Sequence, residues 1–390
     1  MTTKEYNAKR LFLLSCVALI TTAMTFAIRS RLEPIYGDLF GLNKEQLGWA
    51  YGTAFWGFTL AQFVGGPFVD LIGMKRFIRL AFVLHLIGIG LTLFATGFWT
   101  LFLGTLFIGV GNGSVEAGCN PLVASIFPND KTKMLNRFHV WFPGGIVIGS
   151  VISYLVMDLL NLPWQYLVSV LIIPLVIYGV LILGQKFPKT ERVEMGVSYS
   201  QMWKAILKPL FLIMLFCMLL SAATELTTGQ RISSLLEGTG VAPILVLAFI
   251  NGIMAIGRGF AGPIVNRIKT TGMLFFSAVV SMIGLLLMSY VQGGFLIFLA
   301  AGVFAVGICF FWPTMLGFVS ENIPNSGALG LSIFGGAGML STSIFLPISG
   351  WFTDSNFTGQ EILRYTAVLP AVLIVIFAIV FTVYKKRKQA

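Results

Sequence analysis

Two carboxyl side chains lie inside long apolar stretches of this sequence, and they are its first candidates for chemistry. Glu116 has no Asp, Glu, Lys or Arg within ten positions on either side, and Glu225 follows Lys208 by 17 positions of mostly apolar sequence. A carboxylate in apolar surroundings is costly and by default marks a functional site. Because burial disfavours the charged form, such a group can bind and release a proton. We interpret both residues as proton-coupling candidates, with a structural ion pair as the alternative.

Other polar side chains in similar stretches can bind a polar substrate. Asn120 follows Glu116 by one helical turn, and His139 can hydrogen-bond or titrate. Trp312 can stack on the C–H face of a carbohydrate ring or belong to the core. Arg29 either binds an acidic group or neutralises Glu116, or it lies at an interface and pairs with a Glu one turn later. The substrate-binding candidates are Glu116, Asn120, Arg29, His139, Gln230, Arg231, Asn251 and Trp312.

The composition indicates the elements that must position these side chains. The chain has 390 residues, of which 57% are hydrophobic and 11% charged. Soluble domains carry about 25% charged residues, so this chain has too few charges to cover a water-soluble globule. Twelve continuous apolar runs are long enough to span a membrane, whereas a β-barrel needs short alternating segments. The predicted fold class is an all-α membrane protein with twelve transmembrane helices in two pseudo-symmetric six-helix bundles.

The longest polar stretch between these runs lies at the middle of the chain and predicts the domain boundary. We expect an N-terminal six-helix bundle over 1–185, a cytoplasmic linker over 186–206 and a C-terminal six-helix bundle over 207–390. The halves also resemble each other, because the pair Gly66-Pro67 recurs 196 positions later as Gly262-Pro263. Repetition of a six-span unit is typical of secondary transporters.

The basic residues predict the orientation in the membrane. With the N-terminus placed inside, 21 of the 26 Lys and Arg residues fall on the inner side, Arg258 among them. This asymmetry follows the positive-inside rule, so both termini are predicted to be cytoplasmic in a bacterial inner membrane. Topology thereby explains the net charge of +11, and no nucleic-acid partner is expected.

Signatures of soluble enzymes are absent from the sequence. The four cysteines lie in apolar runs without metal or redox spacing, and there are two histidines in all. No phosphate-binding loop or zinc-protease motif occurs. We therefore expect no enzyme activity, no cofactor and no metal site, and we expect an ion or solute gradient to supply the energy.

One loop motif resembles the signature of the major facilitator superfamily. Gly66, Asp70, Gly73, Lys75 and Arg76 reproduce its order of glycine, acid, glycine and basic pair after the second span. In that family the loop latches the two halves and helps to control their rocking. The resemblance therefore implies that these five residues form a conformational latch.

Further motifs resemble the fucose permease branch of this superfamily, the proton–sugar symporters. They are Glu116 with Asn120-Pro121, Gly257-Arg258, Trp312-Pro313-Thr314, and Gly350 with Asp354. The resemblance implies secondary active uptake of a sugar or sugar derivative with a proton, by alternating access, in which Glu116 binds both. Two positions depart from that branch: Ser30 stands in place of a membrane Asp, and His139 in place of a Gln.

Two other transport functions remain open at this point. Arg29 and Arg231 can recognise an anionic sugar acid or another organic anion, and a drug or lipid exporter would have a wide apolar cavity. The expected partners are a small-molecule substrate, H⁺ and membrane lipid, and the protein is expected to be a monomer. The sequence does not name the substrate or distinguish H⁺ from Na⁺.

Overall fold

The computed structural model describes residues 6–42, 44–190, 196, 198–236, 243–291, 293–355 and 357–387. Within this part of the chain no residue lies in a β-strand, and the helices group into twelve segments. Ten of these, all but α2 and α8 below, contain an apolar stretch long enough to cross a membrane, and α8 contains the shorter apolar helix Ile244–Gly259. The all-α membrane fold expected from the sequence is confirmed.

The first six segments follow each other without long connections. They are α1 Ala8–Phe40, α2 Lys44–Ile72, α3 Met74–Leu93, α4 Phe98–Ile126, α5 Lys131–His139 continued by Trp141–Ser153 and Tyr154–Leu159, and α6 Trp164–Ser169 continued by Ile172–Ile182.

The second six segments follow a short helix, Tyr199–Ile206, whose first turn is capped by Ser198. They are α7 Pro209–Ala222 continued by Ala223–Thr227 and Thr228–Leu235, α8 Pro243–Gly259, α9 Ala261–Tyr290, α10 Phe295–Ile308 continued by Phe311–Asn322, α11 Gly327–Asp354, and α12 Gly359–Thr366 continued by Val368–Arg387. A kink at Lys269, where φ is 61°, interrupts α9.

Glycines allow the third and fourth helices of each half to approach closely. A Cβ on Gly88 of α3 would lie 2.7 Å from the backbone nitrogen of Ile108 in α4. The corresponding contact in the second half is tighter, because a Cβ on Gly307 of α10 would lie 2.2 Å from the nitrogen of Ser281 in α9. Small residues at such crossings are typical of membrane bundles, where close backbone packing replaces the hydrophobic driving force. Repetition of this packing in both halves accords with the predicted pseudo-symmetry.

The two bundles touch mainly along two helix pairs, α2 with α11 and α5 with α8, with smaller contacts of α4 with α11 and of α5 with α9 and α10. In the first pair, the Thr59 hydroxyl donates to the Gly336 carbonyl at 3.2 Å. Gly66 lies against α11, where a Cβ would come within 2.8 Å of the Ser332 Cβ. We call this α2–α11 contact the seam.

The seam lies towards the end of the molecule at which α2 ends and α5 begins. Lys75, Arg76, Lys131 and Lys133 are carried at this end, which we call the basic end. One basic residue was assigned wrongly from the sequence: Arg258 belongs to no loop, because its side chain is 3% exposed and lies between the bundles. A charged residue in that position must have polar partners.

Candidate functional site

A cavity of about 560 Å³ lies between the two bundles. Its lining comes from α1, α5, α7, α8 and α10, so that both bundles contribute to it. Most of the wall is apolar, and the polar groups are Glu225, Gln230 and Asn251. Three phenylalanines, Phe26, Phe142 and Phe304, give it aromatic surfaces. Such a pocket, apolar with few polar groups, is the usual form of a small-molecule site.

Glu225 reaches the cavity from an irregular part of α7. Residues Ala223–Thr227 form a π-helical turn between two α-helical pieces, and π-turns inside helices frequently occur at functional sites. Gly229, which follows shortly after, lies within the regular helix Thr228–Leu235. The irregularity is therefore centred on the carboxyl residue itself.

Glu225 is 7% exposed, and its two carboxyl oxygens have different surroundings. Oε1 lies 3.3 Å from Nη2 of Arg258, whereas the buried Oε2 has no hydrogen-bond partner among the described residues. An unpaired buried acceptor is costly. A hydroxyl or amine of a ligand in the cavity would supply the missing donor.

Arg258 is the functional candidate that sequence reasoning missed. Its Nε donates to the Cys309 carbonyl of α10 at 2.8 Å, and its Nη1 donates to the His139 carbonyl of α5 at 3.3 Å. Together with the contact to Glu225, these bonds engage acceptors from three segments and from both bundles. The sequence did carry a signal, since no other charged residue lies within eight positions of Arg258.

Glu116 lies in α4, is 2% exposed and does not belong to the lining of the cavity. The Asn120 amide donates to its Oε2 at 3.4 Å, and the ring Nε2 of His139 lies 3.0 Å from the Asn120 Oδ1. Because that amide oxygen can only accept, Nε2 carries the proton. A continuous chain of polar contacts thus joins the bundles, and we call it the inter-bundle chain: Glu116, Asn120, His139, Arg258 and Glu225.

Arg29 lies in a different cavity, of about 380 Å³, which is lined by α1, α2, α3, α4 and α6 of the first half. It is 9% exposed, and its guanidinium carbon lies 4.7 Å from the ring centre of Phe26 and 5.2 Å from that of Phe55. Aromatic faces stabilise a cation at these distances. Arg29 is therefore buried among aromatic rings of its own bundle, and it is separate from the inter-bundle chain.

The remaining candidates from the sequence divide into two groups. Gln230 and Asn251 line the central cavity, and the Asn251 amide also donates to the Leu247 carbonyl of its own helix at 2.9 Å. Trp312 is buried in the second half, where its ring packs on Gly338. Arg231 belongs to the helix Thr228–Leu235, and its side chain lies outside the described part of the structure.

The five residues of the predicted latch have different surroundings, and two of them reach beyond their own bundle. Gly66 contacts α11 at the seam, Asp70 accepts a hydrogen bond from the Thr190 hydroxyl, and Lys75 donates to the Gln185 carbonyl at 2.5 Å. Gly73 has φ of 84° between α2 and α3, where a side chain would be strained. Arg76 is exposed at the basic end.

Comparison with known sequences places these features in a family. The profile of the Major Facilitator Superfamily matches residues 11–327.

Individual relatives match over shorter stretches. A D-xylose transporter of Levilactobacillus brevis is 25% identical over 114 residues, which are 29% of this chain and 25% of that protein. Probable anion transporter 1, chloroplastic, of Oryza sativa subsp. japonica is 29% identical over 115 residues, 29% of this chain and 21% of that protein. The hexuronate transporter of Bacillus subtilis (strain 168) is 24% identical over 162 residues, 41% of this chain and 37% of that protein. The matches therefore span well under half of each relative.

Solved structures resemble the whole fold. The E. coli fucose:proton symporter aligns with a TM-score of 0.75 at 17% identity, covering 94% of this chain and 98% of that one. A proton:xylose symporter bound to 6-bromo-6-deoxy-D-glucose aligns with a TM-score of 0.75 at 15% identity, covering 94% of both chains. At these identities the likeness concerns the fold alone. With twelve helical segments, a central cavity and a family profile that matches most of its length, the chain belongs to the major facilitator superfamily, a family of membrane transporters.

Proposed function

We propose that this protein is a proton-coupled symporter for a sugar or sugar derivative, working by alternating access to the central cavity. The observation that carries the proposal is the inter-bundle chain, which has one buried carboxyl group in each bundle and reaches the cavity at Glu225. Ionisable groups inside a membrane are characteristic of proton pathways. The fold likeness to two sugar:proton symporters supports the same function.

The two carboxyl groups have separate roles in this proposal. Glu225 lines the cavity and offers Oε2 to a substrate hydroxyl, while the phenylalanine walls contact the C–H faces of the ring. Glu116 is the proton site, because the hydrogen bond that it accepts from Asn120 is long and comes from a neutral amide. An ionised carboxylate held in that way would cost several kcal/mol through desolvation, which suits a group that takes up a proton during transport.

The orientation follows from the charges at the basic end, which we assign to the cytoplasm of a bacterial cell. The seam and the Arg258–His139 contact close this end between the bundles. Substrate and proton then enter from the opposite side, and the bundles rock about the site to release them inside. Residues 1–185 and 207–390 are the two rocking units, with 186–206 as their linker.

Transport of an anionic sugar acid or other organic anion is the second candidate. It is supported by relatives named as a hexuronate transporter and an anion transporter, and by a guanidinium beside the cavity. Arg258, however, already has Glu225 as a counterion, so an anionic substrate would have to displace a carboxylate. This balance favours a neutral substrate.

Uptake by proteoliposomes tests the proposal. Purified protein is reconstituted into vesicles with an alkaline lumen, and D-xylose, D-glucose and D-glucuronate are offered as labelled probes. We expect a neutral sugar to accumulate with the pH gradient and accumulation to collapse with a protonophore. Accumulation of glucuronate alone would favour the anion candidate, and a Na⁺ requirement without proton movement would contradict proton coupling.

Glu116→Gln is the first prediction for this assay. The amide cannot exchange a proton, so proton-driven accumulation is lost, whereas equilibrium exchange of substrate continues because the cavity residues are unchanged. Asp38→Asn, which removes an exposed carboxylate of α1, is the matched control and should accumulate substrate normally. Undiminished accumulation by Glu116→Gln would remove this residue from the coupling role.

A further inference from the structure

The two bundles contribute different kinds of surface to the central cavity. The polar side chains in its lining, Glu225, Gln230 and Asn251, all belong to α7 and α8 of the second bundle. The described residues that the first bundle contributes are all apolar, and we call them the apolar wall: Phe26 and Ala27 of α1, and Phe142 and Ile146 of α5. A ligand that fills the cavity therefore meets hydrogen-bonding groups on one side and hydrocarbon on the other.

Contacts within the first bundle hold the apolar wall in place. The rings of Phe26 and Phe142 meet edge to face with their centres 5.6 Å apart, and Phe26 packs in the same way against Phe55 at 5.7 Å. The guanidinium carbon of Arg29 lies 4.7 Å from the centre of the Phe26 ring. Aromatic and cation–π contacts at these distances are favourable. The wall therefore has a defined shape that does not depend on the second bundle.

The polar side of the cavity can satisfy a few hydroxyl groups at one edge of a ligand. Oε2 of Glu225 accepts a hydrogen bond, and the amides of Gln230 and Asn251 can each donate and accept. A free hexose carries hydroxyl groups all around its ring, so those turned towards the apolar wall would lose their hydrogen bonds to water without replacement. Burial of a hydroxyl group in that way is unfavourable. The cavity therefore suits a ligand with hydroxyl groups at one end and hydrocarbon at the other.

We propose that the substrate is a glycoside with an apolar aglycone, such as a short alkyl chain or a phenyl ring. Its sugar ring binds Glu225, Gln230 and Asn251, and its aglycone lies against the apolar wall. The cavity has a volume of about 560 Å³, which is within the range of pockets that bind drug-sized ligands, so it has room for both parts. The inference rests on the proposed function, because it names the class of sugar derivative that the same site binds.

Affinities measured along a series of aglycones test this assignment. Full-length protein in lipid nanodiscs is titrated in a calorimeter with D-glucose, D-galactose and D-xylose, and with the methyl, n-butyl and phenyl β-glycosides of each, with protein-free nanodiscs as the blank. Burial of one methylene group favours binding about fourfold. We therefore expect the Kd to fall by roughly sixtyfold from the methyl to the n-butyl glycoside of the sugar that binds. A Kd that stays constant or rises along the series would overturn the assignment.

Variants on the two sides of the cavity should affect the series differently. Phe142→Ala truncates the apolar wall, so the n-butyl and phenyl glycosides should bind about tenfold more weakly, with little change for the methyl glycoside. Ile146→Ala is a smaller truncation of the same wall and should act in the same direction, which keeps the test available if Phe142→Ala does not fold. Asn251→Ala should weaken every member of the series by a similar factor. Phe216→Ala, the matched control, removes an exposed phenylalanine of α7 and should bind all of them as the parent protein does.

The outcomes separate this inference from the proposed function. Chain-length dependence that the wall variants abolish, in a protein without proton-driven uptake, supports the glycoside site and contradicts proton coupling. Proton-driven accumulation of a free sugar whose n-butyl glycoside binds no better than its methyl glycoside overturns the glycoside assignment alone. n-Butanol or phenol bound as tightly as the matching glycoside would show that the sugar ring contributes nothing, and this result, like binding of none of these compounds, contradicts both the inference and the proposed function.

Discussion

Glu116 and Glu225 are both buried carboxyl groups, but their neighbours give them different chemistry. Glu225 lies at the wall of a cavity with a guanidinium beside it, so its charge is balanced while one oxygen is left for a ligand. Glu116 has a neutral amide, that of Asn120, as its hydrogen-bond donor, so an ionised carboxylate there would lack the adjacent cation that Glu225 has. Placing substrate binding on one and proton binding on the other assigns each task to the group whose surroundings suit it.

Glu225→Gln should therefore weaken substrate binding more than proton coupling. A hydrogen bond to a charged acceptor contributes about 1.5–3 kcal/mol, so we expect the KM for exchange of the transported sugar to rise at least about tenfold. Glu225→Asp, which keeps the charge, should raise KM less. Exchange kinetics measured in proteoliposomes without a pH gradient provide the test, and an unchanged KM in Glu225→Gln would exclude this carboxyl group from the substrate site.

The residues of the site differed in how readily the sequence revealed them. Glu116 and Glu225 were recognisable because an isolated acid in an apolar run has no topological explanation. Arg258 was noted only as part of a Gly-Arg motif and was counted with the inner loops, because arginine is also the residue that marks such loops and Arg267 follows nine positions later. Only the fold shows that the end of α8 is turned against α5, α7 and α10.

At the scale of single elements, hydropathy predicted the helices but not their irregularities. The twelve apolar runs correspond to the twelve segments, because each must satisfy its own backbone hydrogen bonds in lipid. The π-helical turn at Glu225 and the kink at Lys269 left no trace in the hydropathy. Both depend on local hydrogen-bond register and on contacts with neighbouring helices, which residue types alone do not specify.

The crossing of α9 and α10 depends on a glycine in a way that can be measured. A Cβ at Gly307 would meet the nitrogen and Cα of Ser281 at 2.2 and 2.5 Å. These are backbone atoms, so the helices themselves must separate. We expect Gly307→Ala to destabilise the protein by about 1–3 kcal/mol, the usual cost of overpacking.

Thermal unfolding in detergent, followed by intrinsic fluorescence, checks this prediction. Gly252→Ala is the matched control, since no atom lies within 4 Å of a Cβ built there in α8, and alanine favours a helix over glycine. Its melting temperature should equal or exceed that of the parent protein. A Gly307→Ala variant as stable as the control would show that these helices are not in close contact.

For the whole molecule, transport requires a closed seam that can also open. The helices α2 and α11 pack closely, but one buried polar side chain between them lacks hydrogen-bond partners. The Gln62 side chain is 1% exposed beside Gly335, and neither its Oε1 nor its Nε2 has a hydrogen-bond partner among the described residues. An unsatisfied buried amide costs about 1–3 kcal/mol, which offsets part of the packing energy of the seam. This cost lowers the stability of the closed state relative to the open state, so that the seam can open during transport.

Gly66 is the position at which this balance can be shifted by a single methyl group. A Cβ there would lie 2.8 Å from the Cβ of Ser332 and 3.2 Å from its Oγ, so Gly66→Ala forces the seam apart only while the basic end is closed. With an overpacking cost of about 1–3 kcal/mol, the ratio of open to closed populations should rise by a factor of about 5 to about 150. Spin labels at Lys133→Cys of α5 and Arg267→Cys of α9, two exposed positions at the basic end, report that ratio by pulsed electron resonance in protein whose four native cysteines are replaced.

The effect should be reversed by removing the atom that the new methyl group meets. Ser332→Gly takes away both contacting atoms and leaves the Leu329 Cα, 3.3 Å from the built Cβ, as the nearest neighbour. The double variant Gly66→Ala with Ser332→Gly should therefore return towards the parent distance distribution, while Gly90→Ala, where the space is open, should not change it. The labels lie on α5 and α9, whereas the substituted residues lie on α2 and α11. A rescue at the labels by a change at the seam would therefore show that each bundle moves as a unit. A Gly66→Ala protein with the parent distribution would mean instead that this seam does not control access to the cavity.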